Sequence, residues 1–273
     1  MSTLYDSPLG KPTRYPEAYD PALLHAVDRA PQRASLGIGA TVPFHGEDRW
    51  TVWEAAWLDK DGRPRVGIAT FAVPCTSPRL VESKSVKLYV ASLNHERIDS
   101  VAAVEAMLRR DLSRATGTDV DVQLDPPARW ARHARREPAG EAIDDVVPLA
   151  FPETPDAALL RSTAGSVDET LVFRGFRSVC PITGQPDHAT VRVTYRGPAI
   201  DRAALCAYLI GYRRHPGFHE HCVERTFVDV LQRCTPQALC VEARFTRRGG
   251  LDINPVRSTD ERGVVASGPD FRQ

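Results

Sequence analysis

The segment Phe173-Arg-Gly-Phe-Arg-Ser-Val-Cys180-Pro-Ile-Thr-Gly-Gln-Pro-Asp187-His188 holds the side chains best suited to covalent chemistry. Two prolines and a glycine between strand-like runs can shape the backbone and hold a thiol in one place. A thiolate is a strong nucleophile, and Arg174, Arg177 and His188 are close enough in sequence to favour that form at Cys180. Asp187 follows seven residues later, where a chain folding back would set a carboxyl beside the sulfur. Burial there would keep it protonated, a donor rather than a counter-ion. The plainer readings are a packing thiol at Cys180 and a turn or cap residue at Asp187. Cys75, Cys206, Cys234 and Cys240 lie in apolar or alternating runs and read as packing residues.

Three further clusters invite chemistry. In Phe218-His219-Glu220-His221-Cys222-Val223-Glu224, the residues His219, His221 and Cys222, with Cys180 as a fourth, suggest a metal. Neither a spaced Cys pair nor an HExxH helix supports that reading. Glu82-Ser83-Lys84-Ser85-Val86-Lys87 reads most simply as a solvated strand edge. Its lysines and serines can also hold phosphate oxygens, and a carboxylate such as Glu82 can accept two parallel hydrogen bonds from an amino-amide edge. Thr246-Arg247-Arg248-Gly249-Gly250 is a flexible basic turn suited to phosphate. No Gly-rich nucleotide motif stands between a strand and a helix, so the common nucleotide-binding folds are not supported.

These residues need a frame. At 273 residues the chain can form one large or two ordinary domains. Lys+Arg and Asp+Glu both total 35, which argues against a dedicated nucleic-acid or anionic-membrane binder. No apolar run is long enough for a membrane span and none forms a signal segment, so the expected setting is the cytoplasm with reduced thiols. A short helix is predicted near Ala22–Ala30 and a hairpin from Thr51–Leu58 and Val66–Val73. Ser83–Leu93 reads as extended. A helix follows, opened by Asp99 or Ser100, carrying Val101, Val104, Leu108 and Leu112, and closed by Gly117. Val120–Leu124 is the next strand.

The second half repeats this order: strands Thr170–Phe176 and Ala189–Tyr195, helices from Asp201 to Gly211 and from His219 to Gln232, and a last strand at Ala238–Phe245. The repetition suggests a degenerate duplication with helices on one face of mainly antiparallel sheets, an α+β class. The expected division is an arm over 1–45, a first unit over 46–130, a connection over 131–163 and a second unit over 164–273.

Taken together, Glu82-Ser-Lys-Ser-Val-Lys-Leu-Tyr89, Cys180-Pro-Ile-Thr-Gly-Gln-Pro-Asp187, Phe218-His-Glu-His-Cys-Val-Glu224 and Arg247-Arg-Gly-Gly-Leu-Asp-Ile-Asn-Pro255 resemble the long-form, two-domain NADPH-dependent 7-cyano-7-deazaguanine reductases of queuosine biosynthesis. The resemblance implies tandem tunnelling-fold (T-fold) units, an active site between units and a homodimer, with no direct contact to nucleic acid or membrane. It further implies that Cys180 captures the nitrile as a thioimide, that Asp187 donates the proton, and that two NADPH reduce nitrile to amine without a metal. Val81, Glu82, Ser83, His219 and Glu220 become expected substrate contacts, and Ser83, Lys84, Arg248 and Gly249 expected cofactor contacts. Two rivals remain: a zinc-dependent purine or pterin cyclohydrolase of the same fold, and a non-catalytic purine-binding module.

Overall fold

Strand β2 (His45–Leu58) changes phase at its middle, and that change organises the first half of the chain. In the computed structural model, which describes residues 15–261 and 268–273, β2 pairs antiparallel with β3 (Pro64–Pro74), with a bulge between Val52 and Ala55. A bulge adds one residue and so reverses which side chains face inward beyond it. Trp50 and Val52 before it, and Ala55 and Trp57 after it, therefore reach the same core. Ala69, Phe71 and Val73 of β3, and Val122 and Leu124 of β5 (Asp121–Asp125), complete the sheet side of that core.

Two helices cover it. α2 (Ser83–Ala91) contributes Val86, Tyr89 and Val90; α3 (Val101–Thr116) contributes Val104, Leu108 and Leu112. α3 begins at Ser100, whose hydroxyl accepts the Ala103 N–H, and ends at Gly117 in the left-handed region, as its sequence predicted. α2 was expected to be extended. Glu82 makes it a helix: the carboxylate accepts the Lys84 and Ser85 N–H groups at 2.6 and 2.9 Å, meeting two of the donors that a helix start leaves bare.

The expected helix at Ala22–Ala30 is also replaced. A 3-10 turn at Pro21–Leu23 leads to β1 (Ala26–Asp28), which pairs with β4 (Arg79–Val81), and only then to the one-turn helix α1 (Ala30–Ala34). Proline at 21 and 31 restricts helix to those short starts, while the backbone between them is spent on pairing. The arm's first fourteen residues lie outside those described.

The second half repeats the plan. β7 (Ser162–Val179), β8 (Pro186–Ile200) and β9 (Ala238–Phe245) form an antiparallel ladder. α4 (Arg202–Ile210), capped by Asp201, packs on β7, and α5 (His219–Cys234) packs on β9. β7 carries its own bulge between Phe173 and Phe176. The expectation of antiparallel sheets needs one amendment, since two-residue β6 (Glu141–Ala142) runs parallel to β7. Ala238–Phe245 is not the last strand either: β10 (Leu251–Ser258) follows and pairs with β9.

The chain packs as two units that interleave in sequence. Among the described residues the first comprises 15–32, 47–134 and 247–253; the second comprises 33–46, 135–246, 254–261 and 268–273. The Arg247–Gly250 turn thus belongs with the first unit, not with the half of the sequence in which it was expected.

The duplication is visible bond by bond. In both units the bulge ends three residues before the strand's last residue, Leu58 or Val179. Leu58 bonds Glu96 O and accepts from Ile98 N–H, while Val179 bonds His215 O and accepts from Gly217 N–H. The next residue closes the hairpin: Asp59 N–H donates to Arg63 O, and Cys180 N–H donates to Gln185 O. Asp59 and Cys180 therefore hold the same place in two copies of one hairpin, and Trp57, opposite Arg65, matches Ser178, opposite Asp187.

Candidate active site

The β7–β8 hairpin carries the two residues expected to do the chemistry, Cys180 and Asp187. Its strands run further than the sequence suggested, so Asp187 lies within β8 and only Cys180–Gln185 form the turn. Gly184, with φ 66°, donates its N–H to Cys180 O at 3.0 Å. Residues directly opposite on a ladder share a face, and so do residues two apart on one strand. Ser178 and Asp187 consequently point to one side; Cys180 follows in the turn, its N–H still bonded across the hairpin to Gln185 O, and all three are buried. The same alternation sends Arg177 and His188, themselves a ladder pair, to the other side.

Arg174 and Arg177 are therefore not the cations beside the thiol. Arg174 pairs with Asp144 at 2.9 Å and with Glu137, and Arg177 donates to the Arg213 carbonyl. The group that does reach Asp187 is His219, the first residue of α5, with Nε2 3.7 Å from Oδ1. Its ring rests on Phe245, centroid to centroid 3.9 Å. Glu220, next along the helix, is buried. Cys222 lies close to both acids: burial pushes its thiol up to about 12, Asp187 and Glu220 add to the rise, and the Ser178 hydroxyl tempers it. This thiol stays protonated. His221 and His215 are held below the usual imidazole range, chiefly by burial. Among the described residues no three His, Cys, Asp or Glu side chains are grouped to hold a metal.

The remaining expected residues lie in the first unit. Val81 packs its side chain into the core. Glu82 is fully buried, with both carboxylate oxygens engaged in capping α2 and the Ser83 hydroxyl 3.3 Å from Oε1. Ser83, Lys84 and Lys87 form the half-buried stripe of α2 opposite its core face. The basic turn comes to this stripe. Gly249 and Gly250, with φ 60° and 80°, make a two-residue hairpin closed by Arg248 N–H to Leu251 O, a turn geometry that suits glycine at both positions. A side chain at Gly249 would start 3.2 Å from Lys87 Cδ. Arg247 stacks over Trp53 at 4.5 Å. Lysines, an arginine and a bare glycine backbone in one place fit a phosphate-bearing cofactor.

The sequence is similar to known proteins along its length. A family model described as "Nitrile reductase, 7-cyano-7-deazaguanine-reductase N-term" matches residues 15–124, and one described as "QueF-like protein" matches 186–263. An NADPH-dependent 7-cyano-7-deazaguanine reductase from Stenotrophomonas maltophilia (strain K279a) is 50% identical over 276 residues, covering 100% of this chain and 99% of that protein. The chain belongs to this reductase family. A Bordetella bronchiseptica member is 47% identical over 99% of this chain and 100% of its own length. One from Chromobacterium violaceum is 50% identical over 92% and 91%. Membership makes the chain one of the NADPH-dependent oxidoreductases. No helix among the described residues is long and apolar enough to cross a membrane.

Sequence reasoning missed two members of the buried cluster. Ser178 was passed over, although its spacing of two from Cys180 is the strand period. Cys222 was weighed as a metal ligand or a residue lining the helix, not as a neighbour of acids.

Proposed function

We propose that this chain reduces the nitrile of 7-cyano-7-deazaguanine to the primary amine of 7-aminomethyl-7-deazaguanine through a thioimide on Cys180. The observation that carries the reading is the buried Cys180 just past the strand whose Ser178 pairs with the buried Asp187, with His219 against the acid. Cys180 adds to the nitrile carbon, and Asp187 gives a proton to the nitrogen as charge develops there. NADPH, when bound, supplies a hydride for each of two reductions, thioimide to imine and imine to amine, and the nitrogen takes one further proton from water in the second. Between them, the nitrogen lone pair restores a C=N bond and expels the Cys180 thiolate. Capture by sulfur turns a poor hydride acceptor into a reactive one and fixes its position.

In this reading the Glu220 carboxylate accepts from the guanine-like edge and His219 orders Asp187 and the ring. Val81, Glu82 and Ser83 are further substrate contacts, Glu82 through the acceptor capacity its capping bonds leave. Ser83, Lys84, Arg248 and Gly249 hold the cofactor. The enzyme acts as a homodimer in the cytoplasm, where a thiol nucleophile stays reduced, and has no direct nucleic-acid partner.

Intact-protein mass spectrometry with the nitrile, followed by NADPH titration, tests the reading. Wild type should gain one substrate mass and consume two NADPH per amine. Cys180→Ala should gain none, and Asp187→Asn should lose roughly 10²–10⁴-fold in turnover. An equal mass gain on Cys180→Ala would remove the nucleophile, and turnover abolished by a chelator would favour the zinc enzyme.

A further inference from the structure

Ser178 is fully buried, and its hydroxyl has only the Cys222 sulfur, a weak partner, beside it: no donor or acceptor among the described residues meets it in full hydrogen-bonding geometry. Burying a hydroxyl without a partner costs stability. The fold does not ask for one at this place. In the first unit the same ladder position is Trp57, 3% exposed and part of the hydrophobic core. A slot that takes an indole in one copy holds a small hydroxyl in the other, opposite the proposed acid and two residues before the proposed nucleophile. That is the pattern of a group whose partner arrives with the substrate.

We propose that Ser178 is a third catalytic group, its hydroxyl donating a hydrogen bond to the nitrogen of the Cys180 adduct. The inference rests on the reaction proposed above. When the S–C bond forms, one π pair of the nitrile moves to nitrogen and Asp187 supplies its proton; the second lone pair accepts from Ser178 O–H. Hydride addition at carbon drives the remaining π pair onto nitrogen, and the Ser178 hydrogen bond holds that charge without transferring its proton. The pair then re-forms C=N, the C–S bond breaks and the electrons leave on the Cys180 thiolate. Charge on nitrogen is greatest at the hydride step, so the hydroxyl acts most strongly there.

Ser178→Ala and Ser178→Thr, studied as full-length proteins, test this. The nitrile is added first and the adduct followed by mass; NADPH is then added and the rate of adduct loss measured, with thermal midpoints recorded alongside. Ser178→Ala should keep or raise the midpoint, because an unpaired hydroxyl is gone, and should still form the adduct. Its adduct loss should slow roughly 10²–10³-fold, the usual effect of removing one donor aimed at developing charge, and Ser178→Thr should recover part of that rate. Adduct loss within threefold of wild type in Ser178→Ala overturns the proposal. So does slowing of both steps together with a fallen midpoint, which marks a packing role. Failure of wild type to form an adduct sinks the underlying reaction and this inference with it, and is read before any variant.

Discussion

Glu224 lies one turn beyond Glu220 on α5 and ties that helix to two other segments of the second unit. Its Oε1 accepts from Arg33 Nη2 at 2.6 Å and from Arg257 Nη2 at 2.8 Å, while Oε2 accepts from Arg33 Nε at 3.0 Å. Both guanidinium groups also face Phe44, at 5.6 and 5.3 Å from its ring centre. Arg257 is fully buried and Arg33 nearly so. Glu224→Ala would leave two buried cations without this anion, and breaking such a pair costs about 3–5 kcal/mol. At about 2 °C per kcal/mol for a chain of this size, the thermal midpoint should fall roughly 6–10 °C. Differential scanning calorimetry measures it. Replacing all three at once, with Arg33→Met, Glu224→Leu and Arg257→Met, should recover most of the loss, since apolar groups of similar volume need no partner. A midpoint within 2 °C of wild type for Glu224→Ala would refute the argument that this carboxylate holds α5 in place.

Arg248→Ala should lose roughly 10–100-fold in kcat/KM for NADPH, the worth of one charge-assisted hydrogen bond, with NADH scarcely affected. An unchanged ratio between the two cofactors would exclude Arg248 from the 2′-phosphate. His215, held down to about 4 chiefly by burial, with Arg225 and His221 adding to it, should make the fold acid-sensitive. Its stability contribution is complete above the ordinary imidazole value near pH 6.5 and is lost as pH falls towards 4, because the unfolded chain takes up the proton first. Allowing for its partial exposure, the loss is about 1–2 kcal/mol. Urea midpoints at pH 7 and pH 4.5 should differ less in His215→Phe than in wild type, and equal differences would count against it.

Elements whose signals are local were legible. Ser100 and Gly117 bracket α3 in the sequence as they do in space, and the alternation of Val191, Val193 and Tyr195 marks β8. α2 was misread because its serines and lysines suggested a strand edge, yet Val86, Tyr89, Val90 and Leu93 already carried a helical period and all four are buried. β10 was missed for a different reason. Asp252, Asn254 and Pro255 look like a loop, but Trp53 Nε1 donates to Asp252 at 2.5 Å and Gln273 donates to Asn254 at 2.6 Å. Those partners are distant in sequence, and no local pattern announces them. At the candidate site, Cys180 and Asp187 are expected from composition and resemblance, and both are buried. That Arg174 and Arg177 turn elsewhere followed only from the ladder register.

The two hairpins differ at the positions to which the proposed reaction assigns its chemistry. In the first, Asp59 takes the place of Cys180 and Arg65 that of Asp187, and the two form an ion pair at 2.6 Å. The Arg63 N–H, with Arg65 and the Asp61 N–H, holds the Asp59 carboxyl below the usual range, so the pair is satisfied within its own turn. The contact also bears on the other copy. Asp59 and Arg65 meet because the arginine is long, whereas Cys180 and Asp187 are both short and both buried. Neither has the reach of Arg65. A nitrile is a narrow, linear group that needs a nucleophile at its carbon and a donor at its nitrogen. In the proposed reaction, short side chains at both positions, with Ser178 where the first unit has Trp57, suit such a group.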